Sequence, residues 1–119
     1  MAEMDDANET YAHFHAGERL LTGGNVAQAI VRLEKARRLD PDKSSIRETL
    51  GRAYYAVGRW PDAEVEFRAI IERYPSDDYA HYCLSRTLRK IGRDTEAATH
   101  LRLARAMRPP DQRDFTLWV

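Results

Sequence analysis

The segment that decides the fold runs from Asp62 to Pro75 and reads DAEVEFRAIIERYP. Its apolar residues recur at the spacing of an amphipathic helix, and Pro75 ends that pattern. The same pattern occurs 34 residues earlier and 34 residues later. The positions that recur at this interval are Ala29, Ala63 and Ala97, then Leu33, Phe67 and Leu101, and then Pro41, Pro75 and Pro109. This internal repetition predicts an array of stacked helical repeats.

Small residues follow the same interval. One set is expected to end helices, because glycine adopts the left-handed cap conformation without strain; it comprises Gly24, Gly58 and Gly92. A second set is expected to face the repeated alanines across each helix pair, where close helix axes leave no room for bulk; it comprises Gly17, Gly51 and Ser85.

The pattern predicts three pairs of helices after a frayed N-terminus at residues 1–7. The first pair is expected from about Asn8 to Leu21 and from Val26 to Leu39, with Asn25 as the N-cap of the second helix. The second pair is expected to open with a capping box at Ser45 and Glu48 and to stop at Gly58 and Pro75. The third is expected to begin at Ser76-Asp77-Asp78 and stop at Gly92, and Asp94 is expected to cap a last helix ending near Met107.

The repeated residues resemble the tetratricopeptide repeat (TPR) family, whose pattern here includes Leu20, Ala36, Leu50, Tyr54, Leu84, Leu88 and Ala104. The resemblance implies an all-α fold of three stacked antiparallel helix pairs, forming a right-handed superhelical solenoid with a short C-terminal tail. The repeats would cover residues 10–43, 44–77 and 78–111 of a domain at 8–111, and residues 112–119 would form a tail or cap. His13, Arg47 and His81 depart from the pattern, because the family often has Trp or Leu there.

Composition excludes several classes of function. The 119 residues fit one domain, and a net charge of zero indicates neither a nucleic acid nor a membrane surface as partner. No apolar run approaches the ~18 residues of a membrane span. A lone cysteine, Cys83, forms no internal disulfide, and the acidic, polar N-terminus shows no secretion signal. A cytoplasmic protein is expected.

The sequence predicts no enzyme. His13 and His15 point to different helix faces, and the chain has no metal-ligand motif or phosphate-binding glycine loop. Cys83 is interpreted as a small apolar filler. No catalytic residue, metal or cofactor is therefore expected.

The resemblance implies that the first helix of each repeat lines a concave face that binds a peptide segment of a partner protein. Five of the chain's eleven aromatic residues fall on that face together with three arginines, and Tyr and Arg dominate binding hot spots. Some of the tyrosines, Tyr55 and Tyr79 in particular, would serve equally well as packing between neighbouring helices. The predicted contact residues are Tyr11, Phe14, Glu18, Glu48, Arg52, Tyr55, Tyr79, Tyr82, Arg86 and Arg89.

The partner is an unidentified protein or peptide. Family members that bind the C-terminal carboxylate of chaperones use a clamp of Lys, Asn and Arg, and none of the five matching positions keeps these residue types: Phe14, Glu18, Thr49, Tyr79 and Cys83. The favoured ligand is instead a segment with an apolar anchor and an acidic group near Arg86 and Arg89.

The C-terminal tail leaves an alternative open. Pro109 and Pro110 stop the last helix from continuing. The tail then either folds back over the third repeat or is available to another molecule, as in a self-associating structural unit that forms a weak homo-oligomer. The residues concerned are Phe115, Leu117, Trp118 and Val119.

Overall fold

A computed structural model describes residues 2–114 of the chain, with side chains from residue 6 onward. This described part contains six α-helices, one short 3-10 helix and no strand, which confirms the predicted all-α class. The helices are α1 (Ala2–Thr22), α2 (Val26–Leu39), α3 (Ser44–Ala56), α4 (Trp60–Arg73), α5 (Asp78–Ile91) and α6 (Asp94–Ala106), and the 3-10 helix is Pro110–Gln112.

The chain divides into two compact units, Met1–Arg59 and Trp60–Val119. The first unit contains α1, α2 and α3, and the second contains α4, α5 and α6. Links of two to four residues separate consecutive helices within each unit, and short links make neighbouring helices antiparallel. The division falls inside the second repeat, between α3 and α4.

The repeated glycines end the first helix of each repeat as predicted. Gly24, Gly58 and Gly92 have φ angles of 82°, 78° and 89°. A side chain at these positions would be strained, because the left-handed region is disfavoured for residues with a Cβ. The left-handed backbone conformation therefore recurs at the same 34-residue interval as the glycines.

Small residues lie at the closest contacts between paired helices. A methyl group added at Gly17 of α1 would lie 2.7 Å from Leu33 Cγ and 3.5 Å from Ala29 O of α2. At the matching place in the second unit, Ser85 Oγ donates a hydrogen bond of 2.7 Å to Ala97 O. These contacts confirm the predicted roles of the first and third small residues.

Four charged side chains join α4 to the start of α6. Arg68 donates to Glu64 at 2.7 Å and to Glu96 at 2.6 Å. Arg93 contacts the same two carboxylates, at 2.9 Å and 2.5 Å. Such closed networks hold their members in place better than isolated surface pairs do.

The start of the first helix corrects the prediction. α1 begins at Ala2, whereas the sequence pattern predicted a start at about Asn8. The Thr10 hydroxyl donates to Asp6 O at 2.7 Å within the helix. Apolar periodicity gives no signal in residues 2–7, so it could not locate the start of this helix.

Two predicted caps are wrong, and the structure shows one cap that was not predicted. Lys43 occupies the N-cap of α3, so Ser45 and Glu48 lie inside the helix and form no capping box there. Arg93 occupies the N-cap of α6, where its guanidinium contacts the Glu96 carboxylate. Asp94 therefore already lies inside the helix. Asp77 does cap α5, because its carboxylate accepts from Ala80 N at 3.0 Å.

One further cap is right in position only. Asn25 is the N-cap of α2, but its side chain makes no capping hydrogen bond.

Over the part of the chain that the structure describes, no helix combines the length and apolarity that crossing a membrane requires.

Candidate functional site

All ten predicted contact residues are at least partly exposed, as a binding role requires. They lie on the first helix of each repeat. In the first unit, α1 carries Tyr11, Phe14 and Glu18, and α3 carries Glu48, Arg52 and Tyr55. In the second unit, α5 carries Tyr79, Tyr82, Arg86 and Arg89.

The predicted contact residues of α1 lie around His15, which was not among the predicted site residues. The ring of His15 contacts Tyr11 edge-on, with centroids 4.1 Å apart, and lies 6.3 Å from the Phe14 ring. His15 Nδ1 is 3.7 Å from the Glu18 carboxylate. Tyr11 keeps 66% of its surface exposed, so this aromatic cluster presents a large amphipathic ring to solvent.

In the second unit, three predicted residues form one wall of a groove between α5 and α6. Tyr82, Arg86 and Arg89 are spaced by four and three residues and therefore share one face of α5. The groove has a volume of about 190 Å³. Its lining is completed by Ser85, Leu101, Arg105 and Asp114.

Leu101 of the α5–α6 groove differs from its counterparts in the earlier repeats. Leu33 is 0% exposed and Phe67 is 1% exposed, whereas Leu101 is only half-buried. A half-buried leucine beside a tyrosine offers an apolar contact to a ligand.

The α5–α6 groove carries an excess of positive charge. Its lining includes the guanidinium groups of Arg86, Arg89 and Arg105 and one carboxylate, that of Asp114. Arginine binds carboxylates through paired N–H donors in a fixed plane. The groove lining therefore combines apolar side chains with arginines that suit acidic groups.

The described residues contain no group of three or more His, Cys, Asp or Glu side chains placed to hold a metal ion. Cys83 is buried in α5, as expected of an apolar filler. Because its side chain is buried, Cys83 cannot take the ligand-binding role that the matching residue has in a chaperone-type clamp.

Two histidines of the second unit form a mostly buried pair. His81 Nε2 lies 2.8 Å from Pro75 O and therefore donates to it. His81 Nδ1 then accepts from His100 Nδ1, at 2.9 Å, and the two rings stack. Only one proton fits between the two Nδ1 atoms. His81, which departs from the family pattern, thus replaces an apolar contact with a satisfied hydrogen-bond chain.

The surroundings of this pair disfavour a charge on His100. Burial lowers the pKa of His100 below its ordinary value of 6.5, and His81 and Arg68 lower it further, while Glu96 opposes them. A hydrogen bond from Arg68 lowers the pKa of Glu96, so this carboxylate stays ionised in weak acid. The folded chain therefore binds a proton at His100 less readily than the unfolded chain does.

The pair predicts a loss of stability in weak acid. A depressed histidine pKa stabilises the folded state above pH 6.5, and that stabilisation is lost as the pH falls below this value. We expect the Tm, measured by circular dichroism, to fall more steeply from pH ~7 to ~5.5 in the native chain than in His100→Gln, because only the native chain has the titrating ring. Equal slopes in the two chains would contradict this role of His100.

The residues assigned to self-association lie outside the described part of the chain; they are Phe115, Leu117, Trp118 and Val119. The chain leading to them is well fixed. Arg113 Nε donates to Arg105 O at 2.8 Å and to Arg108 O at 3.1 Å, and Arg108 pairs with Asp78 at the start of α5.

Comparison with known proteins identifies the repeat. The family model described as "Tetratricopeptide repeat" matches residues 20–87. A TPR repeat-containing protein of Treponema pallidum (strain Nichols) is 30% identical over 90 residues, which cover 76% of this chain and 11% of that relative. The chain thus spans only a small part of the relative's length.

Solved TPR structures share the fold. The second TPR of Spaghetti (RPAP3), bound to the HSP90 peptide SRMEEVD, superposes with a TM-score of 0.82 at 15% identity, covering 90% of this chain and 98% of that one. YrrB, described as a TPR protein with an unusual peptide-binding site, gives a TM-score of 0.81 at 21% identity, covering 87% and 53%. Identities this low show the fold alone. Because the family model covers more than half of the residues, this chain belongs to the tetratricopeptide repeat family.

Proposed function

We propose that the chain is an adaptor or scaffold that binds a peptide segment of a partner protein, and that the α5–α6 groove receives an apolar anchor and an acidic group of that peptide. TPR folds generally mediate protein interactions and are not generally enzymes. The Spaghetti domain was solved with a peptide bound, and YrrB is described by its peptide-binding site. Both support a protein partner for this chain.

The observation that carries the proposal is the composition of the α5–α6 groove. Tyr82 and Leu101 supply apolar contact next to Arg86, Arg89 and Arg105. Aromatic and arginine side chains concentrate binding energy, because each offers a large contact area together with a polar group. The predicted residues of α1 and α3 are proposed as partner contacts of the first unit.

A second groove, in the first unit, fits the proposal less well. It lies between α1 and α2 and has a volume of about 530 Å³. Its lining contains none of the ten predicted contact residues and no aromatic side chain: Ala16, Arg19, Leu20, Asn25, Gln28, Val31 and Arg32. Without aromatic anchors it lacks the residue type that dominates hot spots.

Charge reversal in the α5–α6 groove tests the proposal. Peptides that bind the full chain are selected from a display library, and we expect the bound sequences to combine Asp or Glu with an apolar residue. Arg86→Glu should weaken their binding by about tenfold or more, because repulsion of the acidic groups replaces attraction. The Tm should change by only a few degrees, because Arg86 is not buried.

The matched control is Arg102→Glu. Arg102 is an exposed arginine of α6 outside the groove lining, and the substitution changes the net charge equally. Its affinity for the selected peptides should stay within about twofold of the native value. Unchanged binding in all three of Arg52→Ala, Tyr82→Ala and Arg86→Glu would exclude the proposed surface.

The second candidate is a self-associating structural unit. Leu103 of α6 and Met107, the residue that follows this helix, are each 39% exposed, which provides apolar surface for a second copy. Sedimentation of the full chain distinguishes the candidates. The peptide-binding proposal predicts a monomer at micromolar concentration, whereas a concentration-dependent dimer weakened by Leu103→Asp would support self-association.

A further inference from the structure

We infer that the α1 cluster, formed by Tyr11, Phe14, His15 and Glu18, is a site of its own that receives an arginine side chain of a partner peptide. The inference deepens the proposed function, which assigns α1 to partner contact without naming the chemistry of the partner, and it rests on that function. The α5–α6 groove suits acidic groups, so the two sites would select opposite charges.

The residues of the α1 cluster share one side of the helix. Tyr11 is followed by the other members after three, four and seven residues, and side chains at these spacings lie on one face of an α-helix. Gly17, which packs against α2, lies on another side. Tyr11 and Glu18 are exposed, and Phe14 and His15 are partly exposed. The cluster is therefore open to a partner.

The aromatic rings of the α1 cluster offer a surface to a planar cation. Tyr11 and His15 meet edge-on, with ring planes at 60°. The Phe14 ring is tilted against His15 by a similar angle, 59°. Most of the Tyr11 side chain is left uncovered by the described residues. A guanidinium group binds such rings through cation–π and stacking contacts.

The carboxylate of Glu18 supplies the matching negative charge. Its side chain is 47% exposed, and its contact with His15 Nδ1, at 3.7 Å, is longer than a hydrogen bond. Among the residues that the structure describes, no lysine or arginine pairs with this carboxylate. The positions one turn beyond the cluster at either end are Ala7 and Thr22, which carry no charge. Glu18 can therefore accept paired N–H donors from a guanidinium group.

The charge of α1 favours a cationic ligand. Between residues 6 and 22 the helix carries the carboxylates of Asp6, Glu9 and Glu18 and the guanidinium of Arg19. The excess of negative charge attracts a cation. Arginine suits the site better than lysine, because a guanidinium can stack on a ring and donate two hydrogen bonds to one carboxylate, whereas an ammonium group is a strongly hydrated point charge.

A display library without Asp or Glu gives the first test, because its peptides lack the acidic group expected to bind the α5–α6 groove. We expect peptides selected on the full native chain to be enriched in arginine over lysine. Amidated synthetic copies should cause saturable NMR shifts that are largest at Tyr11, Phe14, His15 and Glu18. Selection without arginine enrichment, or shifts that leave these four residues unchanged, would overturn the inference.

Substitutions in α1 test the contacts with the same peptides. Glu18→Lys should weaken their binding by about tenfold or more, because repulsion replaces attraction. Tyr11→Ala should weaken it by about threefold through the lost ring contact. Replacing the arginine of the peptide by lysine should also weaken binding. The Tm of each variant should stay within a few degrees of the native value, because both side chains are exposed.

The matched control is Glu9→Lys, which changes the net charge equally. Glu9 is exposed, and its spacing from the α1 cluster places it on another side of the helix. Its affinity for the arginine peptides should stay within about twofold of the native value. Equal weakening by Glu9→Lys and Glu18→Lys would show attraction by the overall charge of α1 alone and overturn the inference.

The failure of this inference is distinguishable from that of the proposed function. Acidic peptides that bind the α5–α6 groove, in a chain whose α1 cluster binds no arginine peptide, would overturn the inference and leave the proposed groove standing. Arginine peptides that shift the α1 cluster, in a chain whose groove binds no acidic peptide, would support the inference and contradict the groove.

Discussion

Phe67→Ala is expected to lower the free energy of unfolding by about 3–5 kcal/mol. Phe67 lies in the middle of α4 and is only 1% exposed, so truncation removes a large apolar side chain and leaves a cavity. Domains of this kind are stable by about 5–15 kcal/mol, so the loss would be a large fraction of the total. Urea unfolding followed by far-UV circular dichroism measures it.

The matched control for Phe67→Ala lies two residues away on the same helix. Val65 is 60% exposed, so Val65→Ala removes little buried area. Alanine also has a slightly higher helix propensity than valine. We expect a change within about 0.5 kcal/mol. A loss below about 1 kcal/mol for Phe67→Ala would contradict a packed core around α4.

Gly17→Leu is expected to destabilise the chain by about 3 kcal/mol. Even a methyl group at Gly17 would lie 2.7 Å from Leu33 Cγ and 2.8 Å from Leu33 Cδ2, and Leu33 is fully buried. The same unfolding assay should rank the chains as native, then Gly17→Ala, then Gly17→Leu. The gain of about 0.5–1 kcal/mol from replacing a helical glycine offsets only part of the clash.

Two further chains test the cause of this destabilisation. Gly23→Ala should be nearly neutral, because the nearest atoms to the added methyl group would be 3.5 Å away and the φ angle of Gly23 is not positive. Leu33→Ala should be less harmful in the Gly17→Leu chain than in the native chain, because it makes room for the added side chain. Additive effects of Gly17→Leu and Leu33→Ala would contradict a direct contact.

The helix order could be predicted because the determining signals are local and repeated. A glycine at each turn and small residues at each close contact are required by the backbone itself, so they appear in the sequence at fixed intervals. The bounds Val26–Leu39 of α2 and the start of α5 at Asp78 were predictable for this reason. The family resemblance, confirmed by the match to residues 20–87, depends on these same positions.

Other features depend on partners that are distant in sequence. The N-cap position of Arg93 accompanies its contacts with Glu64 and Glu96, and the sequence alone does not show that these charges meet. The pairing of His81 with His100 likewise spans two helices. Arg105 and Asp114 join the candidate groove only because the chain turns after α6. Local periodicity carries no information about such contacts.

The most direct test of peptide binding at the α5–α6 groove is an NMR titration of the isotope-labelled full chain with a selected peptide. The account predicts saturable shifts that are largest at Tyr82, Arg86 and Arg89 of α5 and at Leu101 and Arg105 of α6, and that are strongly reduced in Arg86→Glu. Saturable binding whose shifts leave these five residues unchanged would contradict it.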